Sequence, residues 1–217
     1  MPRKILVITI DITNRQGAMN LQQLLDTLDR LGVRATFYMP GYIIEQHEKI
    51  IKRITSSKHE VGVSSYSGKR LDKMATTEAV NDIAMGIAVL SRYTKPKSFR
   101  APYMKLPRQI LCRLPAMGLD IDSSVSQGIV GLRKRVVHLE CGVVRVAVTK
   151  TGIDLLSRMP SVNRGIEVYR INLETFKEEA SLERFSKTVL EHLSRGYEAL
   201  TISEAVDTVI RVPPTIT

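Results

Sequence analysis

The chain of 217 residues is 43% hydrophobic and 25% charged, a globular composition long enough to bury a core of its own. No apolar run reaches the roughly 20 residues of a membrane span, and Pro2-Arg3-Lys4 leads into a strand pattern rather than a signal peptide. The net charge of +10 is spread along the chain, with Arg133-Lys134-Arg135 as its densest cluster and aromatics at only 5%; it suggests a solvated basic surface rather than a nucleic-acid site.

The first strand runs from Lys4 to Ile10 and closes on Asp11. A continuous apolar run of this kind is a buried parallel strand that delivers an acid to the open end of a sheet. A strand-end Asp can equally cap the helix that follows. That helix has Leu21, Leu24, Leu25, Leu28 and Leu31 on one face and stops at Gly32. Val33 to Met39 is a strand, and Pro40-Gly41 a turn. Ile43, Ile44, His47, Ile50, Ile51 and Ile54 mark one helix face, where packing accounts for His47. His59 to Ser65 forms the third strand. The next helix carries Ala79, Ile83, Ile87 and Leu90 and is expected to be capped by Thr76 or Thr77.

Ser98 to Tyr103 reads as a strand end, and Pro107 as the first turn of a helix continuing to about Met117. Leu119 to Val125 is a short strand. From Val136 to Thr149 apolar and polar residues alternate around Glu140-Cys141-Gly142, a hairpin inserted at about 134–150. Ile166 to Ile171 is a strand. A long helix follows with Ser181 as its N-cap and Gly196 beyond its end. Tyr197 to Ile202 is the last strand, Ser203 opens a short helix, and a tail covers about 212–217. Cys112 and Cys141 show no metal or redox spacing. They are expected to pack as small apolar residues in a reducing cytoplasm.

Strands alternating with helices imply a parallel sheet, open or closed into a barrel. No glycine-rich nucleotide loop follows the first strand. In a barrel the C-terminal strand ends build the active site. Asp11, Ser64, Ser65, Arg100 and Asp122 stand at such ends, each brought by a different part of the chain.

These stretches resemble the polysaccharide deacetylases of the NodB-homology family. Thr9-Ile10-Asp11-Ile12-Thr13 stands where that family has Thr-Phe-Asp-Asp-Gly. Gly32-Val33-Arg34-Ala35-Thr36-Phe37 is similar to its second strand. His59-Glu60-Val61-Gly62-Val63-Ser64-Ser65-Tyr66-Ser67-Gly68 is similar to His-Glu-Ile-Gly-Asn-His-Thr-Tyr-Ser-His. Phe99-Arg100-Ala101-Pro102-Tyr103 resembles Phe-Arg-Pro-Pro-Tyr, Asp122-Ser123-Ser124-Val125 a fourth motif, and Gly196 to Ala205 the closing one.

The resemblance implies an incomplete (β/α)7 TIM-like barrel over residues 1–217 as a single domain, with the hairpin as decoration. It also implies hydrolysis of an N-acetyl or O-acetyl group on a sugar. The family uses a base Asp, a divalent metal (commonly zinc) held by a second Asp and two His, and a late catalytic His. Asp11 matches the base, and Arg100 the arginine that orients it through a bidentate pair. Ile12, Ser64 and Gly68 occupy the metal positions and cannot replace a carboxylate and two imidazoles. Tyr169 to Glu174 covers the late His region, where Arg170 or Asn172 could reach the pocket. The chain's four histidines, His47, His59, His138 and His192, supply none of the missing groups.

The sequence therefore points to a hydrolase of amide bonds in a carbohydrate or small amide, with no metal or other cofactor and Asp11 as general base. Ser64, Ser65, Pro102, Tyr103 and Asp122 are the candidate substrate contacts, and Asp122 could instead share Arg100. The alternative is a catalytically inactive member that binds a carbohydrate or a protein. No membrane or nucleic-acid partner is expected, the location is expected to be cytoplasmic, and the sequence is compatible with a homo-oligomer.

Overall fold

A computed structural model describes residues 3–126, 136–152, 165–175 and 179–211. The Arg133-Lys134-Arg135 cluster and the tail at 212–217 lie outside the described residues. The first half of the chain runs β1 (Lys4–Asp11), α1 (Arg15–Leu31), β2 (Thr36–Met39), α2 (Gly41–Gln46), α3 (Glu48–Ser56), β3 (Glu60–Val63) and α4 (Thr76–Leu90). Next come β4 (Ser98–Phe99), α5 (Arg108–Leu111), β5 (Ile121–Asp122), β6 (Val137–Glu140), β7 (Val143–Val146) and β8 (Lys150–Thr151). The chain closes with β9 (Ile166–Asn172), α6 (Glu179–Ser194), β10 (Tyr197–Leu200) and α7 (Ile202–Arg211).

β1 is the central stave. It pairs in parallel with β9 along one edge, and its other edge is shared by β10 at Lys4 to Val7 and β2 at Thr9 to Asp11. Because successive side chains alternate faces, Leu6, Ile8 and Ile10 meet Leu21, Leu24, Leu25 and Leu28 of α1 on the outside. Ile5 and Val7 meet Ile121, Val146, Val168 and Leu200 on the inside. Thr9 and Asp11 continue that inner face upward, so alternation alone turns the strand-end acid into the barrel. The floor is closed by Glu60, whose carboxylate accepts from Ser98 Oγ at 2.6 Å, Ser203 Oγ at 2.9 Å and the Ser203 backbone N–H at 3.0 Å, anchoring α7.

The fold is the expected incomplete (β/α)7 TIM-like barrel, with one change of role. β6 and β7 form an antiparallel hairpin turned at Cys141-Gly142, but its second arm is part of the wall. β7 pairs in parallel with β5, Val148 bridges to Ser126, and β8 pairs in parallel with β9. Residues 143–151 thus carry the sheet from β5 across to β9.

Local details also depart from the sequence expectation. His47 is the joint between α2 and α3 rather than part of one helix face. Pro115 lacks an N–H and crowds the preceding turn, so α5 ends at Leu111 and Pro115–Met117 is a 3-10 turn. Ala75, not a threonine, precedes α4, and the Thr76 hydroxyl instead donates to Gln109. Ser181 is buried inside α6 and hydrogen-bonding at α7 comes from a Thr201–Glu204 capping box.

Cys112 and Cys141 are joined as a disulfide that ties α5 to the hairpin turn, which corrects the expectation of two free thiols. The partners are 29 residues apart, a separation at which sequence spacing gives no local cue. Closing a loop of this size stabilises a fold by about 2–4 kcal/mol. Cys112→Ser is expected to lower the unfolding free energy in urea by that amount, and reductant should do the same to the unmodified protein. Two reactive thiols in the native, unreduced protein would contradict the bridge.

Candidate active site at the barrel mouth

Asp11 sits at the C-terminal end of β1, its side chain 8% exposed. It does not cap α1: Asn14 does, accepting from the Gly17 N–H. Each carboxylate oxygen of Asp11 receives one guanidinium. Arg100 Nη1 donates to Oδ1 at 2.9 Å, and Arg170 Nε donates to Oδ2 at 2.5 Å. A carboxylate offers about four lone-pair sites, so one acceptor site remains on each oxygen.

All three nitrogens of Arg100 are engaged. Its Nη1 also donates to Thr9 Oγ1 at 2.8 Å, its Nε to the Ser123 carbonyl at 3.0 Å and its Nη2 to Ser123 Oγ at 2.7 Å. The guanidinium lies 4.5 Å from the centre of the Tyr38 ring, a buried cation–π contact. The expected bidentate Arg100–Asp11 pair is therefore a single bond, because the other nitrogens lock the arginine to β1 and the end of β5. Burial raises the Tyr38 phenol above its ordinary range, against the pull of Arg100, so it stays neutral beneath the ion pair. Gly62 makes this possible: a Cβ there would fall 2.3 Å from the Tyr38 ring and 2.6 Å from Ser98 Oγ.

Asp122 takes no part in this cluster. Alternation turns Ser123 toward Arg100 and Asp122 to the opposite face of β5. Asp122 accepts from Arg145 Nε at 2.9 Å and from Ser124, and Arg145 also pairs with Glu140. Burial pushes the Asp122 carboxyl up, while Ser124 and Arg145 pull it down. Both expectations for Asp122, as substrate contact and as a sharer of Arg100, are corrected by this one-residue change of face.

Ser64 and Ser65 follow β3 on the same rim as Asp11, since Asp11 pairs with Tyr38 and Tyr38 with Gly62. Both serines are buried. Ser65 has φ 151°, its carbonyl accepts from the Gly41 N–H at 2.8 Å, and its Oγ from the Gly68 N–H at 3.2 Å. Asp82 of α4 holds the rest of this loop through the Ser67 N–H and hydroxyl. Gly86 lets α4 approach: a Cβ would fall 2.7 Å from the Ser65 carbonyl carbon. Past β4, Pro102 is buried and Tyr103 is 67% exposed. Tyr103 and Met104 both adopt left-handed backbone, with φ 57° and 60°, strain of the kind that accumulates at functional loops.

The three metal positions hold no ligand set. Ile12 is wholly buried in the outer core with the leucines of α1 and close to Gly17, pointing away from the mouth. Ser64 is a lone hydroxyl, and Gly68 has no side chain. Among the described residues no group of three His, Cys, Asp or Glu side chains could hold a metal. The residues present therefore do not fit the zinc site that the resemblance implies. His192 is elsewhere, buried on the sheet-facing side of α6 against Tyr169 Oη at 3.0 Å and Glu167 at 3.2 Å.

The sequence profile of the polysaccharide deacetylase family matches residues 1–121. The chain belongs to the polysaccharide deacetylase family. Among relatives of this family, the peptidoglycan-N-acetylglucosamine deacetylase PgdA of Listeria monocytogenes is 33% identical over 103 residues, covering 46% of this chain and 22% of that protein. A peptidoglycan-N-acetylglucosamine deacetylase of Bacillus cereus is 35% identical over 83 residues, covering 37% of this chain and 30% of that protein. The chain thus spans less than a third of the length of either.

Solved structures share the fold. A CE4 family pseudoenzyme from Bacillus anthracis aligns over 94% of this chain and 66% of its own, at TM-score 0.72 and 17% identity. A family 4 acetyl xylan esterase from Clostridium thermocellum aligns over 97% of this chain and 93% of its own, at TM-score 0.71 and 22% identity. Against the family motifs quoted above, the chain retains Asp11 and Arg100 and has Ile12, Ser64 and Gly68 at the three metal positions.

Sequence reasoning placed Asp11 and Arg100 together and left Arg170 as an open candidate. It missed Thr9, Tyr38, Ser123 and Asp82. For Ser123 a signal was present: two residues before Val125 on a strand, it shares that residue's face and not that of Asp122.

Proposed function

We propose that the barrel mouth hydrolyses the N-acetyl amide of a carbohydrate, or a small amide, with Asp11 as general base and without a bound metal. The observation that carries this reading is the placement of Asp11. It is inward-facing at the strand end, oriented by Arg100 through Oδ1, and retains an open acceptor site on each oxygen. Ser64, 8% exposed, would contact the sugar on the adjoining rim with Ser65 and Pro102 buried behind it, and the exposed ring of Tyr103 would stack on a sugar face.

The Cys112–Cys141 bridge supports an oxidising location over the cytoplasm. No helix among the described residues is long and apolar enough to cross a membrane. The ligand is an acetylated carbohydrate, for which the peptidoglycan deacetylases of Listeria and Bacillus cereus supply the analogy.

The test is release of acetate from N-acetylglucosamine oligomers and from small acetamides by the purified protein. Turnover above the buffer rate is the expected result; its absence on every acetylated sugar and amide tried would remove the hydrolase. One observation favours a second reading. Both Asp11 oxygens are ion-paired, which suits a structural anchor in a non-catalytic carbohydrate-binding member. That reading expects the same oligomers to bind without being cleaved.

A further inference from the structure

The Asp11 cluster contains two arginines with different commitments. All three nitrogens of Arg100 are occupied inside the barrel. Arg170 reaches Asp11 through Nε, and its Nη1 and Nη2 make no hydrogen bond or ion pair among the described residues. Exposure orders the three groups from floor to mouth: the Arg100 side chain is 2% exposed, Asp11 8% and Arg170 22%. Arg170 therefore lies on the solvent side of the carboxylate, with a two-pronged donor fork open to whatever enters.

The strand fixes this position. Arg170 pairs with Thr9 and Asn172 with Asp11 along β1, so Val168, Arg170 and Asn172 share the inner face of β9. The neighbouring residues, Tyr169 and Glu167, turn outward to His192 and Lys150. Glu174, the other carboxylate nearby in sequence, is engaged by the Thr13 hydroxyl. Holding Asp11 in place requires one arginine, and Arg100 already does so. A second, half-committed arginine with two free donors beside the base is chemically suited to a developing negative charge.

We propose that Arg170 is a catalytic residue that binds the oxyanion of the tetrahedral intermediate, supplying the positive charge that the Ile12, Ser64 and Gly68 positions cannot recruit. The inference rests on the hydrolase reading above. Water attacks the acetyl carbon and gives a proton to the open site of an Asp11 oxygen. The carbonyl π pair moves onto oxygen, which accepts N–H bonds from Arg170 Nη1 and Nη2. Collapse restores the carbonyl and breaks the C–N bond, and the proton on Asp11 passes to the departing nitrogen. The products are a free amine and acetic acid, which releases its proton to solvent as acetate, and water is the only other reactant consumed. Arginine suits the role because it stays protonated and presents a planar fork.

The experiment uses the full chain, Arg170→Gln and Arg170→Lys. Its probes are an N-acetylglucosamine oligomer and the matching N-methylphosphonyl analogue, whose tetrahedral anionic centre imitates the intermediate. Arg170→Gln leaves Asp11 paired with Arg100, so no buried charge is stranded, and thermal melts verify folding.

For Arg170→Gln the analogue should bind at least about 100-fold more weakly while the neutral oligomer changes less than about 3-fold, and kcat should fall by a similar factor with KM nearly constant. Arg170→Lys, which keeps charge but not the fork, should fall between. Equal weakening of both ligands, or no weakening of the analogue, overturns the proposal. Discrimination without turnover in the unmodified protein would uphold the anion subsite and sink the hydrolase reading. Turnover at the unmodified rate in Arg170→Gln would do the reverse.

Discussion

Asp11→Asn is expected to lower kcat/KM for acetate release by at least about 1000-fold, within the range for losing a general base. The amide cannot take a proton from water at neutral pH. It also presents an N–H₂ group to one of two guanidinium donors, Arg100 Nη1 or Arg170 Nε, which now hold the carboxylate from either side. The comparison is steady-state acetate release by protein shown to be folded by circular dichroism. An unchanged rate would show that Asp11 is a structural anion only.

Arg100→Met is expected to cost about 3–5 kcal/mol in unfolding free energy, the scale for breaking a buried ion pair from one side. The side chain is 2% exposed, and its loss leaves Asp11 Oδ1, Thr9 Oγ1, the Ser123 carbonyl and Ser123 Oγ without their donor. The contact with the Tyr38 ring disappears as well. Arg100→Lys should recover little, because one ammonium cannot span acceptors on two strands. Urea denaturation measures the loss. A change below about 1 kcal/mol would mean that Asp11 is held by Arg170 alone.

The two predictions separate roles that the sequence presents as one pair. Asp11 and Arg100 were legible because β1 is an unbroken apolar run ending in an acid, and because Phe99-Arg100-Ala101-Pro102-Tyr103 keeps a family motif nearly intact. Order along the chain located the strand ends. It did not locate faces, and in a strand one residue decides the face. That is why Asp122 was expected in the site, whereas Ser123 makes the contact.

Arg170 stayed undecided against Asn172 for a different reason. Its stretch lacks the family motif, so nothing local distinguishes an inward Arg170 from an outward Tyr169 until the register with β1 is known. Non-local pairing also explains the hairpin. Alternation from Val136 to Thr149 revealed two strands but not that residues 143–151 bridge β5 to β9. Ile12 illustrates the opposite case. Its identity alone ruled out a metal ligand, and the fold adds that it is a packing residue against α1.

In the proposed reaction an aspartate held between two arginines cleaves the amide with no metal. The most direct measurement is acetate release from N-acetylglucosamine oligomers after exhaustive treatment with a chelator, with and without zinc added back. Metal-free hydrolysis predicts the same rate in all three conditions. A rate abolished by the chelator and restored by zinc would contradict it.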